Sequence, residues 1–427
     1  MRRSGIGARD AGRAGRAGRA GRLAAAGVLA LLAAAAVAAP SGSAARKQRM
    51  LDVVVVSNNW AGTADVVAVP GFRRLARINI IPDRRERERE IQASPDDRRR
   101  FYFRSIREIV GEGHNQWVDD AFVSKDGRRL FVSRPSFADV IAIDLRSRRI
   151  VWRRPVDGYR ADHMALSPDG RRLLVSASTA RTVDVIDTRG GRIAGRFPSG
   201  DSPHENNFSP DGKLIYHASI GFVYTGNDDP SQDATKGDRW FEVVDARTLR
   251  VKRRIDVGKR LAETGRPGYS SAVRPMAIAP GGRYAYMQLS FLHGFVEYDL
   301  KANRPLRIAR LLVSAGARLL RRSDYLLDSA HHGLAMNPQG TKLCVAGTMS
   351  GYAAVVSRRT LRARVIPVGR VPYWATNSLD GRYCLVSVAG EDRVSVISYA
   401  TEREVRRIKV GDHPQRMRAG RVAVPSL

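Results

Sequence analysis

Cysteine is scarce in this sequence, with two residues among 427, Cys344 and Cys384. So few exclude a small domain framed by disulfides, and neither stands in a Cys-x-x-Cys-His run that would attach haem. Also missing are a His-Glu-x-x-His metalloprotease pair, a Gly-Lys-Ser/Thr phosphate loop and a Gly-x-Ser-x-Gly nucleophile elbow. Acidic residues number 42 against 73 Lys and Arg, a formal charge of +31. Past the first 45 residues no apolar run approaches the roughly 20 residues of a spanning helix. A hydrophobic content of 43% nevertheless fits a folded globular chain.

Residues 1–45 read as an export signal: an Arg-rich start, the run "LAAAGVLALLAAAAVAA", and small residues at Ser43-Ala44-Ala45. The expectation is a secreted or cell-envelope protein. If the segment is not cleaved, it is also the sole membrane attachment expected. Without its seven Arg and one Asp the charge falls from +31 to +25. That surface could attract a polyanion. The basic residues are nearly all Arg and scattered through turns, which suits coding bias equally well, and no dedicated nucleic-acid motif is present.

What is abundant is one turn. "SKDG" at Ser124, "SPDG" at Ser167 and Ser209, "APGG" at Ala279, "NPQG" at Asn337 and "SLDG" at Ser378 follow at 43, 42, 70, 58 and 41 residues. Each joins two short apolar strands, and two further strands follow, as in "HMALSPDGRRLLVSASTARTVDVIDT". A period near 42 with two insertions predicts four-stranded blades stacked radially, because one sheet alone cannot bury both faces. The segment from Val54 begins as a second strand, whereas "VGDHPQRMRAGRV" offers a first strand and stops, with Gly420 at the next turn position. One blade is therefore split between the termini. The expected fold is all-β: a seven-bladed β-propeller over 46–427 with a split blade and a helical insertion. Cys344 and Cys384 fall in second strands of adjacent repeats. Sheets about 10 Å apart rarely permit a bridge, so two buried thiols are expected.

"PHENNFSPDGKLIY", "HMALSPDGRRLLVSAS" and "VDVIDT" resemble the YVTN-type β-propeller repeats of exported bacterial and archaeal proteins. The resemblance covers Leu51 to Val422 outside the insertions. It implies a propeller and no single activity, since such repeats serve binding, surface-layer and enzymatic roles. Trp signatures of quinone-cofactor propellers are not evident.

Four segments exceed the repeat: 79–113, with Ser94 as a candidate helix N-cap, then 221–240, 259–273 and 309–329. All four join blades, or second to third strands, and so should emerge on the channel-mouth face. That face is where binding and catalysis are expected. The entrance to each first strand contributes a residue pair there: Asp119-Asp120, Asp162-His163, His204-Glu205, Arg274-Pro275, His332-Gly333, Tyr373-Trp374 and Gln415-Arg416, with His331 adjoining.

His163, His204, Glu205 and His332 are the candidate catalytic residues or ligands of a divalent metal. Asp119, Asp120, Asp162, Arg274, His331, Tyr373, Trp374 and Arg416 are candidate ligand-binding residues. Each imidazole alone reads equally as bonding a neighbouring loop, and Trp374 as a channel plug. The partner is expected to be a small molecule, a protein or a polyanion. The function expected is ligand or partner binding at the mouth; the alternatives are a metal-assisted, lactonase-like hydrolase or lyase, and a structural or polyanion-binding envelope protein. Asp228, Asp229, Asp233 and Asp238 suggest a solvated loop rather than a calcium site.

Overall fold

The computed structural model describes residues 49–223 and 230–427. The segment 1–45 expected to be an export signal, together with Asp228 and Asp229, lies outside the described residues. The recurring turn is built the same way each time. In Ser167-Pro168-Asp169-Gly170, Ser167 Oγ donates to Asp169 Oδ1 at 2.5 Å, and Asp169 Oδ1 accepts from Arg171 N at 3.0 Å. Gly170 closes it in the left-handed region at φ +74°, where an L side chain would be strained. Ser124/Asp126, Ser209/Asp211 and Ser378/Asp380 repeat the Ser–Asp bond.

The strands between these turns alternate between two interfaces. In Arg172–Ala177, Leu173 and Val175 pack on Phe131, Val140 and Ala142 of the preceding sheet. Leu174, between them, packs on Ile215 and Val244 of the following sheet. Both faces are thus buried, as radial stacking requires. The described residues form seven four-stranded sheets, each with its first strand inward. These inner strands are Pro414–Ala423, Ala121–Val123, Ala161–Leu166, Pro203–Phe208, Val273–Ile278, Gly333–Met336 and Pro372–Asn377. We number the blades 1 to 7 in that order.

Blade 1 closes the ring. Met50–Asn58 pairs antiparallel with Pro414–Ala423, Val54 opposite Ala419. Gly420 lies within that strand opposite Val53 instead of in a turn, because the next strand comes from the other end of the chain. Many arginines are absorbed by the blades themselves. A buried carboxylate on a third strand meets an Arg on the fourth at Asp65–Arg77, Asp184–Arg196 and Glu242–Arg254, each pair 2.7 Å apart.

Two further expectations are corrected. Cys344 and Cys384 form a disulfide between blades 6 and 7. The 10 Å spacing of flat stacked sheets does not apply, because propeller sheets converge toward the axis and bring the two Cα atoms to 6.3 Å. Ser94 is not an N-cap: its hydroxyl donates back to Ile91 O at 2.6 Å, and the helix Asp96–Arg100 is preceded by Pro95.

Insertion 79–113 carries helices Arg84–Gln92 and Asp96–Arg100 and a wide π-type helix, Phe101–Val110. They rest on an apolar cluster with Trp117 and Phe137. The other three insertions meet one another, Ile220 and Val223 packing with Ala272 and Leu327. A buried ion pair, Lys236 Nζ to Asp328 Oδ2 at 2.7 Å, fastens two of them together. Asp233 and Asp238 are each paired with an arginine, Arg239 and Arg181.

Candidate functional site

The inner strands do not enter the ladder smoothly. Register shifts fall between Ala161 and Met164, Pro203 and Glu205, Val273 and Met276, and Pro372 and Ala375. These bulges contain the expected pairs Asp162-His163, Arg274-Pro275 and Tyr373-Trp374, and His204. A bulge releases its residues from the alternation of a strand and re-aims their side chains. Here they gather around one small cavity. Asp119, Asp162, His163, His204, Arg274, His332, Tyr373, Gln415 and Arg416 line it, under a cover of Val110, Val223 and Leu327 from three insertions and the adjoining Ile220.

Three imidazoles form the centre. The ring centroids of His163 and His204 are 3.6 Å apart, and His332 lies 6.0 and 5.5 Å from them. One ligand atom from each falls within 4.8 Å of the others, and Asp119, Asp162 and His163 satisfy the same condition. His163 Nδ1 is held by Glu205 Oε2 at 2.8 Å, and Glu205 Oε1 accepts from Asn207 at 3.0 Å. Both oxygens of Glu205 are thus engaged, so it stands behind His163, orienting that ring.

Two guanidiniums border the imidazoles. Arg416 Nε donates to Asp119 Oδ2 at 2.9 Å, and its guanidinium lies 4.4 Å over the Trp374 ring. Arg274 Nε donates to Ser290 Oγ at 3.1 Å. Four buried atoms here find no hydrogen-bond partner among the described residues: His204 Nδ1, His332 Nδ1, Arg274 Nη2 and Arg416 Nη1. Leaving such a group unsatisfied costs about 1–3 kcal/mol. All four border the one cavity.

The electrostatics follow from burial. Desolvation, with Arg416 next, drives His163 well below its ordinary value. Desolvation likewise lowers His204, helped by His332 and Arg274, and His332, helped by Arg416 and Arg274. All three imidazoles are therefore neutral, the form that binds metals. Burial pushes Asp119 up to about 7 against the pull of Arg416, with Asp162 and Asp120 raising it further. Burial also raises Glu205 to about 7 and Tyr373 to about 12.

Other expected residues lie apart. Asp120 is taken up by Arg418 at 2.6 Å and by backbone amides. His331 points away from the cavity, its Nε2 3.1 Å from the Tyr352 hydroxyl. Trp374 packs among blade 1 and blade 7 apolar side chains beneath the arginines. Arg160, which the entrance count passed over, pairs with Asp162 and donates to Gln116 at 3.1 Å. Its position two residues before Asp162 was the available signal.

No family model and no curated protein matches this sequence. The architecture is that of a seven-bladed β-propeller, and solved propellers share it. Hydrazine synthase from Kuenenia stuttgartiensis is similar at a TM-score of 0.54 and 17% identity, over 72% of this chain and 96% of that one. That likeness is one of fold.

Proposed function

We propose that this chain is an exported YVTN-like propeller whose mouth holds a divalent transition metal and serves metal-assisted hydrolysis or elimination on a small anionic or carbonyl-bearing substrate. One observation carries it: three fully buried, neutral imidazoles converge on one point, with a carboxylate fixing the ring of one of them. A carboxylate–histidine pair behind a ligand is the usual way to set tautomer and basicity. The three rings must draw in slightly to reach the ~2.1 Å bonds of a metal–imidazole centre. When bound, the metal would polarise a carbonyl or lower the pKa of a bound water.

The chain's own residues supply the rest. The unmatched N–H groups of Arg274 and Arg416 would orient a substrate oxyanion or carbonyl. Asp119, poised near neutrality, could accept or return a proton at its Oδ atoms. Val110, Ile220, Val223 and Leu327 would keep bulk water out. The cavity holds about 30 Å³. A water needs about 10–15 Å³, so the space suits an ion with a water or a reacting group, not a whole organic molecule. The disulfide supports export, since such bonds persist in oxidising compartments.

A second reading rests on the orphaned arginine N–H groups alone: an anion-recognising module without metal. The test is to purify the chain, strip it with chelator, reload zinc or cobalt, and assay lactones and esters. The metal reading expects activity to vanish and return. Unchanged activity after chelation overturns it, and anion binding that survives chelation but fails in R274K and R416K favours the module.

A further inference from the structure

A cavity far larger than the one at the channel lies elsewhere on the same propeller. A groove of about 860 Å³ runs over blade 5, walled by insertions 221–240, 259–273 and 309–329. Its size falls within the range of small-molecule sites, roughly 300–1,000 Å³, where the channel cavity does not. Its charge is positive: Arg239, Lys259, Arg310 and Arg322 line it against Asp233 and Asp256. Asp233 is spent on Arg239 at 2.6 Å, and Asp256 on Ser271 and the Lys259 amide. Arg239 is buried, yet its Nε–H has no acceptor among the described residues.

Two aromatic faces accompany the cations. The Arg322 guanidinium lies 4.6 Å over Phe291, and Arg310 lies 5.6 Å over Tyr269. Arg310 also donates to the Tyr269 hydroxyl, so that cation sits at the ring's edge, and the two pairs together offer a planar ligand both aromatic surface and charge. At the groove's inner wall Ser290 binds Arg274 of the channel cavity at 3.1 Å.

We propose that this groove binds a small aromatic oxyanion, a carboxylate or a phosphate, between Tyr269, Phe291 and the Lys259–Arg310 edge. It is a second site and does not require the metal. The test is calorimetric titration of the full chain with benzoate, phenyl phosphate, cyclohexanecarboxylate and benzyl alcohol, with and without chelator. At least one aromatic anion should saturate, with or without chelator, and benzyl alcohol should bind at least about tenfold more weakly. Lys259 and Arg310 are exposed, so the double variant K259A/R310A should keep the melting temperature while losing about tenfold in affinity. F291L should weaken benzoate more than cyclohexanecarboxylate. H332A should leave binding intact, which separates this site from the metal centre. The proposal is overturned if neither aromatic anion saturates, if K259A/R310A binds as wild type, or if chelator or H332A abolishes binding.

Discussion

His163 Nδ1 stands 2.8 Å from Glu205 Oε2, the two side chains buried on neighbouring blades 3 and 4. That bond decides which nitrogen of His163 is available. With Nδ1 committed to the carboxylate, Nε2 faces the cavity. Removing the negative charge should therefore loosen the ring and weaken its donor strength. For E205Q we expect metal affinity lower by about 10–100-fold, measured by competition with a chromophoric chelator, and little change in melting temperature. H204A should cost more than E205Q, because it deletes a ligand outright.

Buried histidines that stay neutral in the fold should make its stability sensitive to acid. Burial depresses His217 and His413 to about 3, and both are neutral in the folded chain. Unfolded, each would take a proton near pH 6.5. The stability these groups contribute is full above pH 6.5 and is lost as pH falls from there toward 3. At pH 5 the loss is at most about 2 kcal/mol for each. Asp119 and Glu205, raised to about 7 by burial, act in the opposite sense over this range, so the check is a comparison of variants. Between pH 7.5 and 5 the melting temperature of H217Q should lose less, or gain more, than that of the parent. Parallel profiles in the parent and H217Q would contradict this.

The Cys344–Cys384 bond closes a separation of 40 residues. Loop-closure entropy assigns such a link about 4 kcal/mol. C344S/C384S should unfold at lower denaturant, with blades 6 and 7 exchanging amide hydrogens faster than the other blades. Equal protection in oxidised and reduced protein would remove the staple from the account.

Lys236 and Asp328 form a buried ion pair that ties the cover of the mouth together. Removing one partner of a buried ion pair costs at most about 3–5 kcal/mol, and less here because Lys236 also lies 5.3 Å over the Phe291 ring. D328A should show faster hydrogen exchange through 309–329, and the apolar pair K236M/D328L should recover most of the protection.

The ring closure was legible because turn chemistry is local. Ser, Pro, Asp and Gly announce each turn, and a blade without an inner strand at one end of the chain matches an inner strand without a blade at the other. The cluster of His163, His204 and His332 was legible for the same reason: His204 and His332 stand five residues before their turns and His163 four, and the strand entrances of neighbouring repeats must converge. What escaped depends on three dimensions. Convergence of the sheets near the axis brings Cys344 to Cys384. The bulges that turn Asp162 and Arg274 inward leave no mark in composition. Leu327 covers the mouth from an insertion that shares no repeat position.

Metal occupancy located by anomalous diffraction tests the central claim most directly. Crystals grown with zinc should show one strong peak bonded to nitrogens of His163, His204 and His332 at about 2.1 Å, absent in H204A. Protein in excess zinc with no peak among those imidazoles, or a peak only on surface carboxylates, would contradict it.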